Sequence, residues 1–106
     1  MSITLYLQSD EKEQGTLQLV KSAIEAEVTR LELALELTNE RLKPFETKYS
    51  VTSDYFMEHL AAEDLTGGDD EYVHWAGEFK LRQRLEQKLQ RLQEIEYGSS
   101  EIPQSP

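Results

Sequence analysis

Asp70, His74 and Glu78 are spaced i, i+4 and i+8, so in a helix they place an imidazole and two carboxylates on one face. Such a set could hold a divalent ion, imidazole suiting zinc and carboxylates suiting harder cations. His59, Glu58, Glu63 and Asp64 lie just across a Gly67-Gly68 turn and could extend the cluster. The spacing matches no ligand motif such as H-E-x-x-H, so solvated carboxylates beside a surface histidine are the stronger reading, and no metal or cofactor is expected. Nucleophilic chemistry fares worse. Ser22 and Ser53 have no His and Asp in an order that suggests a triad, no glycine-rich phosphate loop is present, and the chain has no cysteine.

A metal-dependent nucleotide hydrolase is the remaining enzyme reading. Helical pyrophosphohydrolases set E-x-x-E against E-x-x-D on facing helices, whereas Glu32, Glu36 and Glu40 repeat every four residues and no facing E-x-x-D occurs. The sequence therefore predicts no enzyme and no catalytic residue.

Charge is the more informative property. Between Lys48 and Lys80 no Lys or Arg occurs, while Asp54, Glu58, Glu63, Asp64, Asp69, Asp70, Glu71 and Glu78 do. A segment so one-sided reads as a docking surface for a basic partner. Tyr72, Trp75 and Phe79 lie within it and with Phe56 could anchor the contact, since Trp and Tyr carry many interfaces, although filling the hairpin's closed end is the stronger reading and a cluster there could partly do both. The formal charge of −10 repels phosphate backbones and anionic lipid, so neither nucleic acid nor membrane is the expected partner. Lys80, Arg82, Arg84, Lys88 and Arg91 are interrupted by Glu86 and fit a solvated helix face. No apolar run approaches the roughly 20 residues of a membrane span, and the start lacks a basic leader, so a soluble cytoplasmic protein is expected.

The elements that must position these residues follow from periodicity. Ile3, Leu5 and Leu7 alternate with polar residues as in a short half-buried strand, making residues 1–12 a strand or flexible arm. Leu17, Val20, Ile24, Val28, Leu31, Leu35, Leu42, Phe45 and Tyr49 recur at helical spacing, with Thr38 filling the one gap. Pro44 should kink this helix without ending it, because the stripe passes through in phase. Such a helix would be about 50 Å long at about 1.5 Å per residue. A short helix beginning near Thr52, Ser53 or Asp54 carries Phe56 and Leu60 and ends at Gly67-Gly68. A third runs from about Asp70 to Tyr97, and residues 98–106 form a disordered tail. The predicted fold is all-α: residues 13–97 form a long antiparallel helical hairpin with a short intervening helix. A two-helix hairpin leaves part of each stripe wet. The chain is therefore expected to form a homodimeric four-helix bundle through Ile24, Val28, Leu31 and Leu35, with Ala76 and Gly77 permitting close backbone approach.

The run Leu42-Lys43-Pro44-Phe45-Glu46-Thr47-Lys48-Tyr49, then Ser53 to Phe56, then Gly68 to Glu78, then Leu81, Leu85, Leu89 and Leu92, resembles small acidic helical proteins of cyanobacteria and archaea that look like the antitoxin halves of toxin–antitoxin pairs. The resemblance covers residues 40–97 and is most specific from Gly68 to Glu78, although Leu65-Thr66-Gly67-Gly68 is a looser turn than that pattern has. It implies a stoichiometric binder of a basic protein encoded nearby, with no chemistry of its own. A structural or adaptor hairpin is the competing expectation.

Overall fold

The computed structural model describes residues 3–7 and 11–99. Along the chain these form β1 (Ile3–Leu7), α1 (Glu11–Tyr49), α2 (Ser53–His59), a single 3-10 turn (Ala62–Asp64), α3 (Gly68–Gln93) and β2 (Ile95–Ser99). The long helix α1 packs against α3 as a hairpin, with α2 between them in sequence. No helix among the described residues is long and apolar enough to cross a membrane.

Residues 33–86 form one compact unit. Its core is Leu42, Phe56, Leu65, Trp75, Ala76 and Phe79, with Phe45, Tyr49, Val51, Met57, Leu60 and Tyr72 packed around it. Leu42, Phe45 and Tyr49 of the stripe predicted along the first helix meet this core, and α1 continues through Pro44 to Tyr49. Thr38 is fully buried in the stripe because its hydroxyl donates to the Ala34 carbonyl at 2.9 Å and accepts from Arg41 Nη2 at 3.2 Å. That local bond removes most of the cost of placing a hydroxyl there.

The helix ends are set by identifiable groups. Ser50 adopts a left-handed φ of 54°, and the Val51 N–H reaches back to the Glu46 carbonyl at 3.2 Å, closing α1 as a Schellman motif with serine in the usual glycine position. Thr52 caps α2 by accepting from the Tyr55 N–H at 3.1 Å. α2 is shorter than its sequence predicts. It stops at His59, where Leu60 turns extended (φ −108°, ψ 145°) and the Ala61 N–H is taken by the Asp64 carboxylate at 2.8 Å. Of the two turn glycines it is Gly68 that takes the left-handed conformation, at φ 63°.

The second unit comprises the described parts of residues 1–32 and 87–106. Here Leu31 is buried and, with Leu92, forms the apolar part of a shallow cleft that Glu27, Lys88 and Arg91 also line. The expected helix to Tyr97 ends at Gln93 instead, and Ile95–Ser99 pair in parallel with Ile3–Leu7, Ile3 opposite Ile95 and Leu7 opposite Ser99. The strand expected at the N-terminus thus pairs within its own chain. A parallel pair needs a long crossover, and the whole hairpin supplies it. Helical periodicity extends into Ile95, but a segment able to satisfy the open edge of β1 gains ladder hydrogen bonds that a fraying helix end lacks. Residues 98 and 99 fall in β2, and the rest of the expected tail lies outside the described residues.

Candidate functional site

The chemistry-bearing residues cluster in the 33–86 unit, where α1 ends, α2 crosses and α3 begins. At its centre Trp75 is completely buried, its ring parallel to Phe56 at 3.8 Å between centroids and flanked by Phe45 at 5.3 Å and Tyr49 at 5.6 Å. The indole N–H donates to Ser53 Oγ at 2.9 Å, and that hydroxyl donates to Glu46 Oε2 at 2.7 Å. The same carboxylate oxygen accepts from the Ser53 backbone N–H at 2.9 Å, satisfying an orphan donor in the first turn of α2. Ser53 is fully buried, and its hydroxyl is hydrogen-bonded on both sides, so it links α1, α2 and α3.

Glu71 ties the start of α3 to the end of α1. Its carboxylate accepts from Lys48 Nζ at 2.8 Å, from the Tyr49 hydroxyl and from the Gly67 N–H at 3.0 Å. The Tyr49 oxygen in turn accepts from the Thr66 N–H at 2.9 Å. Lys48, followed by the Tyr49 hydroxyl, holds the Glu71 carboxyl down to about 2. Gly67 is required here, since a Cβ would come within 2.8 Å of the Glu71 Cβ.

Two more acidic residues of the segment are paired. Glu78 accepts from Arg41 Nε at 2.9 Å, and Asp54 lies 3.5 Å from Arg82 Nη2, whose guanidinium also sits 5.1 Å from the Phe79 ring centroid. Asp64 is used in the Ala61 cap. Glu58, Glu63, Asp69 and Asp70 are exposed and make no hydrogen bond or ion pair with another described residue. Beside Glu58 on α2, Tyr55 and His59 stack at 4.3 Å between centroids, and Tyr55 keeps 46% of its surface exposed.

The residues read from the sequence as partner contacts therefore separate into two sets. Asp54, Glu58, Asp69 and Asp70 are at the surface, while Glu71, Glu78 and Tyr72 are partly covered. Trp75 and Phe79 lie in the core and offer a partner no appreciable surface, which is the core-filling role the sequence also allowed. The sequence reading overlooked Tyr55 as an exposed ring and overlooked the Glu46–Ser53–Trp75 chain. A tyrosine one position off the apolar face of α2 was the available signal for the first. Of the residues read as a dimer seam, Leu31 and Ala76 are buried within the single chain, Ile24, Val28 and Leu35 are half-buried, and Gly77 is exposed with open space where a Cβ would go.

The Asp70–His74–Glu78 face is not drawn together. The Glu78 carboxylate is engaged by Arg41, and the His74 ring meets Phe45 edge-on at 5.2 Å. Among the described residues no group of three or more His, Asp or Glu is placed to hold a metal ion. No family model matches the chain, and no curated protein or solved structure is significantly similar to it.

Proposed function

We propose that the chain is a protein-binding module of the antitoxin-like kind, which engages a basic partner through the surface formed by Glu58, Glu63, Asp69 and Asp70 with the Tyr55–His59 pair. One observation carries this reading: Arg41, Lys48 and Arg82 are each already committed to one carboxylate of the acidic segment, and four further carboxylates there are exposed and form no ion pair among the described residues. A cationic partner would relieve their mutual repulsion, and the exposed tyrosine ring can accept a guanidinium or ammonium group on its face. Asp69 and Asp70 also favour the positive end of the α3 dipole, worth about 0.3–1 kcal/mol each, which explains two of the four without a partner but leaves Glu58 and Glu63 unexplained. A neighbouring toxin-like basic protein fits this chemistry. An enzyme role draws no support from Ser53, which is buried and doubly bonded.

The test is affinity purification of the tagged chain followed by measurement of association rates with the recovered basic protein over a range of salt. Asp69→Asn, Asp70→Asn and Glu58→Gln together remove three surface charges and leave the bonded Glu71 alone. Slower association and a flatter salt dependence are expected. Unchanged kinetics would defeat the acidic-surface reading. Salt-insensitive binding along the long helices would support the adaptor reading in its place.

A further inference from the structure

Within the unit of residues 1–32 and 87–106, the shallow cleft between α1 and α3 has a volume of about 320 Å³ and is lined by Glu27, Leu31, Lys88, Arg91 and Leu92. That is the small end of the range for small-molecule sites, about 300–1,000 Å³. Leu31, which is buried, and Leu92, which is half-buried, form its apolar part. Lys88 and Arg91 lie three residues apart on one face of α3, and both are exposed. Neither forms a hydrogen bond or ion pair with another described residue. We infer that this cleft binds a small amphipathic carboxylate, with its charged end at Lys88 and Arg91 and its apolar end against Leu31 and Leu92.

The chemistry of the lining selects this class of ligand. An Arg guanidinium presents a planar fork that pairs with a carboxylate through two parallel bonds, and Lys88 adds a point charge on the same face. Glu27, the one carboxylate of the lining, gives these cations no counter-ion at bonding distance, because Arg30 takes both of its oxygens through bonds of 2.6 and 2.7 Å. Its carboxyl lies below the ordinary 4.5 chiefly through that Arg30 bond, with a smaller contribution from the charge of Lys88. Glu94, the next acid along the chain from Arg91, accepts from Gln90 Nε2 at 3.2 Å. With 21 acidic residues against 11 basic, a cleft that leaves two cations without a bonded acid runs against the composition of the chain. The same excess of acid repels an extended polyanion, so one compact negative group fits better than a nucleic-acid backbone or an anionic lipid surface. A neutral apolar molecule would leave both cations unused, and a bare anion would leave the leucine side empty. The cleft draws on no residue of the acidic segment, so this inference and the proposed partner binding stand or fall separately.

The probe is octanoate, titrated at low salt into the isotope-labelled full chain and followed by amide chemical shifts. Saturable shifts concentrated in residues 27–31 and 88–92 are expected, with a Kd at or below about 1 mM, within reach of a ligand of about ten heavy atoms in an open site. Octylammonium, which has the wrong charge, and acetate, which lacks the chain, should each bind there at least about tenfold more weakly. Those comparisons are made on the parent and need no variant. Lys88→Gln/Arg91→Gln changes two exposed positions, so it should keep its far-ultraviolet helix signal while octanoate affinity falls at least about tenfold. No saturable shift at about 10 mM octanoate, shifts concentrated elsewhere, equal binding of octylammonium or acetate, or unchanged affinity in the double variant would each overturn the inference.

Discussion

Ser53 is the residue on which the buried polar chemistry turns. Its hydroxyl accepts from the Trp75 indole N–H and donates to the Glu46 carboxylate, so it links a donor on α3 to an acceptor on α1. Ser53→Ala leaves the indole N–H of a fully buried Trp75 unsatisfied and should cost about 1–3 kcal/mol, read as a lower urea midpoint with an unchanged m-value. Glu71 acts by charge. Its carboxyl sits at about 2 in the folded chain against an ordinary 4.5, so the fold favours the ionised form. The contribution of its Lys48 and Tyr49 bonds is therefore fully present above pH 4.5, falls as the pH drops, and is gone once the pH passes below about 2. Melting temperatures from pH 7 to pH 2 should show Glu71→Gln less stable than the parent at neutrality, with the difference closing at the acid end. A constant difference over that range would show that Glu71 acts by shape alone.

At the scale of elements, the end of α1 stores a small, correctable strain. Ser50 holds a left-handed φ of 54° that costs a non-glycine residue roughly 1–2 kcal/mol. Ser50→Gly removes it, and the added freedom of glycine in the unfolded chain returns roughly 0.5–1 kcal/mol of that gain. A net stabilisation of about 0.5–1 kcal/mol is expected, which for a domain of this size raises Tm by about 2–8 °C. The same substitution tests the Schellman closure, because only a left-handed position gains from glycine. Gly67 is the opposite case. It tolerates no side chain because the carboxylate arm of Glu71 folds over it, so the turn into α3 and the Lys48–Glu71 pair are a single device.

For the whole molecule, the excess of acid over base sets the response to salt. The Arg41–Glu78, Lys48–Glu71 and Arg82–Asp54 pairs have at least one well-exposed partner each, so solvent screening limits what they contribute. Self-repulsion from a formal charge of −10 is the larger effect at low ionic strength. Raising sodium chloride from about 10 to about 150 mM shortens the screening length from roughly 30 to roughly 8 Å. The melting temperature should rise over that interval. A fall would mean that the internal pairs outweigh the repulsion.

Much of this architecture is legible in the sequence because its signals are local. The apolar spacing from Leu17 to Tyr49, the polar Thr38 within it, the Thr52 cap and the Gly67-Gly68 turn each report on residues a few positions apart, and those are the distances over which helix geometry acts. They determine a hairpin with a short helix between its arms. Which acids are neutralised is decided elsewhere. The partners of Glu78, Glu71 and Asp54 lie 37, 23 and 28 residues away in the chain, and Trp75 finds Ser53 across 22. A run without Lys or Arg therefore looks unpaired in one dimension although the helix ends bring three cations to it. The pairing of β1 with β2 is more distant still, because nothing in Ile3–Leu7 names Ile95–Ser99 until the hairpin has returned the chain to its start. Periodicity fixes what each segment becomes, whereas the choice among competing partners depends on which groups the turns bring together.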